Sequence, residues 1–136
     1  MIYLDTSALV KLVVNEPESS ALRGYLGDNV ERTWFTAALA RTELVRAVAR
    51  LGTPDAVEHA RAILAGMDIV ALTGRLLDAA AMLRPLELRT LDAIHLAAAQ
   101  SAADQLDAVV TYDARMFDGA QQAELPVVAP AAELPR

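Results

Sequence analysis

Cysteine is absent from this 136-residue chain, which excludes disulfides, thiolate metal sites and cysteine nucleophiles together. Whatever chemistry it performs rests on oxygen and nitrogen groups. Lysine is nearly absent too, since Lys11 stands alone beside eleven arginines. Aromatic residues make up only 4% of the chain. Trp34 and Phe35, the pair that could stack on bases, sit inside a short strand and read as core. No apolar stretch approaches 18 residues without a charge, and no basic region precedes the first apolar run. Neither a membrane span nor a secretory leader is expected, so the reading is a soluble cytoplasmic protein without a membrane partner.

What the chain has in quantity is alanine and leucine. Hydrophobic residues reach 54%, with no low-complexity tract and no block of like charge, which is the composition of a folded globular domain. At this length one core burying roughly two-thirds of the unfolded surface is the norm. Eighteen acids against twelve bases give a net charge of −6. That balance ordinarily opposes a nucleic-acid partner, although the arginine fork suits phosphate.

Short β-rich runs alternate with longer segments of helical period, the pattern of an α/β domain with a parallel sheet. Five strands are expected, at Ile2 to Leu4, Thr33 to Thr36, Asp68 to Leu72, Ala108 to Tyr112 and Pro126 to Ala129. Their continuous apolar character suits strands covered on both faces. Helices are expected over Ser7 to Val14, Glu18 to Leu26 and Ala37 to Leu51, then from Thr53-Pro54-Asp55 through Leu64. Two more run from Thr73 to Leu83 and from an N-cap at Thr90 to about Ala103. In the third helix Leu44, Val48 and Leu51 form the core stripe and Gly52 closes the end. Residues 1–129 read as a single domain, and 130–136 as a loose tail.

Four acids occupy comparable places in this plan. Asp5 follows the first strand and Asp113 the AVVTY strand, while Asp92 lies in the first turn of TLDAIHLAAA and Glu43 on the helix after TWFT. Taken singly, each has a plain structural use: Asp5 and Asp113 as N-caps, Asp92 beside a helix dipole, Glu43 paired with Arg46. Parallel sheets bind ligands beyond the carboxyl ends of their strands, where Asp5 and Asp113 would project. If the four converge, two charges about 4 Å apart repel by roughly 4 kcal/mol at an effective dielectric near 20. A cap returns only about 1 kcal/mol. Such a cluster needs protons or a cation, and an all-oxygen site selects hard ions.

The segments MIYLDTSALVKL, TAALARTELVRAV, TLDAIHLAAA and VVTYDARM, in this order and spacing, resemble the PIN-domain ribonucleases, in particular the VapC toxins of bacterial toxin-antitoxin pairs. The likeness runs essentially end to end and includes the closing LPVVAP. It implies a three-layer α/β/α PIN-like fold, with a central parallel sheet of four to five short strands flanked by about six helices. It also implies an acidic metal site in which Asp5, Glu43, Asp92 and Asp113 are both the catalytic residues and the ligands of Mg²⁺ or Mn²⁺, with Asp118 as an auxiliary. Thr6, Ser7 and Thr111 are hydroxyls placed to orient water or substrate. The implied activity is metal-dependent endoribonuclease hydrolysis of RNA by a toxin, with a homodimer and a VapB-type antitoxin that covers the cleft. LVKLVV with Leu22, Tyr25 and Leu26 offers an apolar docking groove for that antitoxin.

The remaining residues bear on that reading. Setting the four acids aside leaves fourteen against twelve bases, and Arg46, Arg50, Arg89 and Arg115 could flank the cleft. Metal-free cleavage through the ribose 2′-OH would want two paired histidines. His95, three residues after Asp92, reads as a hydrogen-bonded core residue or a partner behind the acids, and His59 as surface. A phosphoacceptor signalling domain would need an adjacent acidic pair after the first strand and a late lysine. A DxD phosphatase would need an aspartate at Ser7. A catalytically silent PIN-like binding module is the other alternative, and the full set of four acids weighs against it.

Overall fold

Alternation along one short strand sets up the architecture. β1 (Ile2–Leu4) is buried at every position. Ile2 and Leu4 enter one hydrophobic core and Tyr3 the other, as the period of two in a strand requires. The computed structural model describes residues 1–131; the rest of the expected tail, 132–136, lies outside the described residues.

Four further strands join β1: β2 (Trp34–Ala37), β3 (Asp68–Val70), β4 (Ala108–Val110) and β5 (Val127–Val128). All pairings are parallel, in the order β3-β2-β1-β4-β5. The chain therefore builds outward from β1 through β2 to β3, then crosses back to lay β4 on the other side of β1. That reversal opens a crevice at the carboxyl ends of β1 and β4, where such sheets place their ligands.

The first face of the sheet carries α1 (Thr6–Val13), α2 (Ser19–Asp28), α3 (Leu39–Ala49) and α4 (Pro54–Ala65). Leu9, Leu22, Leu26, Leu44, Val48 and Leu64 pack there with Ile2, Leu4 and Val110. The opposite face carries α5 (Gly74–Ala81), α6 (Thr90–Gln100) and α7 (Ala114–Gln122), which pack on Tyr3, Phe35 and Val109. These layers form the expected three-layer α/β/α sandwich. Every residue of α6 from Asp92 to Ala99 is buried, and a helix covered all round explains its run of small alanines.

Several boundaries differ from expectation. Among the described residues, seven α-helices and a 3₁₀ turn at Ala103–Gln105 replace the six expected, the seventh being α7, capped by Asp113. Thr90 is the first residue of α6, not its cap; Arg89 holds the cap position with extended backbone and no side-chain cap bond. α3 ends at Ala49, which releases Leu51 to an exposed turn before Gly52 at φ +71°. Phe35 is core as expected, and Trp34 is half-buried beside the α1–α4 core with its indole nitrogen unpartnered. The apolar groove expected on the first helices is narrower than expected, because Leu9, Leu22 and Leu26 are consumed by the core. Only Val10, Leu12, Val13, Val14 and Tyr25 stay half-buried there. Pro130, assigned to the tail, accepts a 2.9 Å hydrogen bond from the Tyr112 hydroxyl and is tied to the domain.

Candidate active site

Each acid arrives on a different element. Asp5 ends β1 and is the N-cap of α1, accepting from the Ala8 amide at 3.0 Å. Asp113 follows β4 and caps α7, accepting from the Arg115 and Met116 amides. Glu43 sits midway along α3, and Asp92 in the first turn of α6. All four line one cavity of about 370 Å³, together with Thr6, Ser7, Arg89 and His95. Capping and clustering, set against each other on the sequence, prove compatible for Asp5 and Asp113. Thr6 and Ser7 do not take over the cap.

The hydroxyls expected to orient water or substrate hold the carboxylates instead. Thr111 donates to Asp5 Oδ2 at 2.6 Å and Ser7 to Asp5 Oδ1 at 2.7 Å. Both hydroxyls are fixed in turn, since Thr111 Oγ1 accepts from the Asp113 amide and Ser7 Oγ from the Tyr112 amide. Thr6 donates to Glu43 Oε1 at 2.7 Å.

Asp5 is only 2% exposed. Burial holds its carboxyl above the ordinary carboxylate range, against the opposing bonds from Thr111, Ser7 and Ala8. Glu43 differs. Burial raises it as well, but hydrogen bonds from His95 and Thr6 outweigh that and leave it below the usual value.

Arg89 enters the cavity further than the sequence indicated. Its Nε donates to Asp92 Oδ2 at 3.1 Å and its Nη2 to Asp113 Oδ2 at 3.4 Å, so one guanidinium spans two of the four acids. With Arg89 between them, and Glu43 drawn toward Thr6 and His95, no three acid or histidine groups among the described residues are gathered as a metal ion would require.

Other expected contributors lie elsewhere. Asp118 lines an adjoining groove with Arg115, accepts from Gln122, and meets the site only through Arg89 and Asp92, which border both spaces. Arg46 lines a separate groove with Arg41 and Arg61, and Arg50 is exposed past the end of α3. His59 is exposed on α4. His95 is buried, with Tyr3 on one ring nitrogen and Glu43 on the other. Tyr3 was not singled out on the sequence, although strand parity puts it on the α6 side, where His95 lies.

Relatives of known name match nearly the full length. Ribonuclease VapC46 of Mycobacterium tuberculosis (strain ATCC 25618 / H37Rv) is 49% identical over 129 residues, covering 95% of this chain and 97% of that protein. Ribonuclease VapC47 of Mycobacterium tuberculosis (strain CDC 1551 / Oshkosh) is 44% identical over 136 residues, covering 97% and 98%. The family model of the PIN domain matches residues 2–121. The chain belongs to the PIN-domain family, among the VapC ribonucleases. A toxin-antitoxin complex from Klebsiella pneumoniae has the same PIN fold, with a TM-score of 0.74 at 20% identity over 98% of this chain and 100% of that one. Among the described residues of this PIN domain, no helix is long and apolar enough to cross a membrane.

Proposed function

We propose that this VapC-family chain is the toxin of a toxin-antitoxin pair, an endoribonuclease that hydrolyses RNA phosphodiester bonds with a divalent cation, Mg²⁺ or Mn²⁺, held by Asp5, Glu43, Asp92 and Asp113. The observation that carries the reading is that those four acids, from four separate elements, line one cavity at the sheet's topological switch point. The ribonuclease names of the relatives support RNA as the substrate, and the Klebsiella pneumoniae toxin-antitoxin complex supports a cognate antitoxin, which we propose to be of VapB type and to block the cavity. A homodimer acting in the cytoplasm completes the proposal.

The donor set suits a hard cation. All four acids offer oxygen, and neither Glu43 Oε2 nor Asp92 Oδ1 accepts a hydrogen bond from the described residues. Arg89 already places one positive charge between Asp92 and Asp113 and would have to yield if those acids held a cation. A bound divalent cation supplies activation of water and neutralisation of the charge that grows on the phosphate.

The side chains supply the rest. Asp5 is locked by three donors, so its carboxylate cannot swing. Glu43 is fixed through Oε1. Arg89, released from its acids, is the guanidinium nearest to hand for a phosphate oxygen. A metal-free route with paired histidines finds no support, because both ring nitrogens of His95 are engaged and His59 is outside the cavity.

The test is cleavage of a mixed RNA substrate by the full chain with Mg²⁺, with EDTA, and after Asp5→Asn or Asp92→Asn. EDTA and each substitution are expected to abolish cleavage, and co-purified antitoxin to suppress it. Undiminished cleavage in EDTA would overturn the cation, and undiminished cleavage by both variants would overturn the site.

A further inference from the structure

A chain of hydrogen bonds runs behind the acids. Tyr3 is fully buried and His95 is 2% exposed. The Tyr3 hydroxyl accepts from the Ala37 amide at 3.2 Å and lies 2.5 Å from His95 Nδ1. On the far side of the ring His95 Nε2 lies 2.6 Å from Glu43 Oε1, which also accepts from Thr6. We propose that Tyr3 and His95 are positioning residues that fix Glu43 through Oε1 and so leave Oε2 for a cation. This rests on the cation reading of the site.

The direction of the chain follows from counting protons. The fully buried Tyr3 hydroxyl carries its proton at neutral pH, as tyrosine ordinarily does. Its lone pairs serve the Ala37 amide, and the well-aligned acceptor for its own proton is His95 Nδ1. Thr36 Oγ1 is nearby, yet makes no hydrogen bond of good geometry. Nδ1 is therefore the acceptor, and the imidazole proton sits on Nε2, where it donates to Glu43. A doubly protonated ring would leave the phenol proton buried without a partner, at a cost. Packing alone does not call for this arrangement. The Tyr3 ring already meets Phe35 edge-on at 5.1 Å, a contact phenylalanine would make equally well.

The experiment combines ¹⁵N–¹H correlation of the imidazoles in the metal-free full chain with calorimetric titration of Mn²⁺, with the exposed His59 replaced by Gln to leave one ring in the spectrum. His95 is expected as a single Nε2–H tautomer that Tyr3→Phe releases. Tyr3→Phe and His95→Leu are each expected to weaken Mn²⁺ binding by about tenfold. His95→Gln is expected to stay within about threefold of the parent, because its amide can accept from Tyr3 and donate to Glu43. Circular dichroism verifies folding, and if His95→Leu unfolds, Tyr3→Phe and His95→Gln decide alone. An Nδ1–H or doubly protonated His95, or unchanged Mn²⁺ affinity in folded Tyr3→Phe, overturns the proposal while the cation site stands. No Mn²⁺ binding by the parent overturns the cation reading itself, and with it the purpose assigned to the pair.

Discussion

Thr111 donates its hydroxyl proton to Asp5 Oδ2 across 2.6 Å, joining the ends of β4 and β1 over 106 positions of the chain. With the Ser7 hydroxyl and the Ala8 amide also committed, Asp5 has three protein donors and little water. Such a carboxylate is a structural cap and a source of uncompensated charge at once.

Asp5→Asn separates the two. The amide carbonyl can still accept from Ala8 and Ser7, while the negative charge disappears. RNA cleavage is expected to fall by at least about 100-fold. Metal-free melting temperature is expected to stay equal or rise. A clear loss of stability with cleavage intact would return Asp5 to the role of a cap.

The pH dependence of the metal-free protein carries the same signature. Burial raises the Asp5 pKa above the unfolded value of 3.8, so between the two the folded chain binds the extra proton and stability falls as pH rises. Melting temperature is thus expected to climb as pH is lowered from neutral through the Asp5 titration. Glu43 acts in the opposite sense. Burial raises it, but the bonds from His95 and Thr6 prevail and lower its pKa, so its contribution is lost as pH falls from 4.5 through the folded value. A melting-temperature maximum results, and Asp5→Asn in EDTA is expected to flatten its neutral side.

Asp113 invites a paired substitution. Its Oδ1 accepts from two amides of α7, and Oδ2 faces Arg89. Asp113→Ala should destabilise by about 1 kcal/mol through loss of the cap, whereas Asp113→Ser preserves capping and stability. Both are expected to lose Mn²⁺ affinity and cleavage. Serine with full Mn²⁺ affinity would reduce Asp113 to a cap.

Arg89 competes for the cavity. Its guanidinium bridges Asp92 and Asp113 from an exposed position. Arg89→Ala is expected to tighten Mn²⁺ binding by about two- to fivefold with little change in metal-free melting temperature. RNA affinity is expected to fall. Weaker Mn²⁺ binding in this variant would show that Arg89 supports the cation site.

The strands were legible because burial on both faces leaves continuous apolar runs, as in IYL and AVV. Helix ends were less so. Leu51 continues the stripe of Leu44 and Val48, yet the helix stops at Ala49 and exposes it, an outcome set by the turn at Gly52 rather than by periodicity. The four acids could be found from their places after strands and in helix turns. Their supports could not: Thr111 reaches Asp5, and Tyr3 reaches His95, only because β1 pairs with β4 and packs on α6. The first-helix groove narrowed for a related reason, since an apolar face on α1 and α2 looks the same in sequence whether the sheet or a partner covers it.

The strand order bears on how the chain leaves the ribosome. β1 emerges first, but its register partner on the site side, Ala108 to Val110, is made last but one among the strands. Until that segment arrives, Asp5 lacks Thr111, and Asp113 does not exist. Assembly of the proposed site therefore waits for the segment that carries β4 and the start of α7.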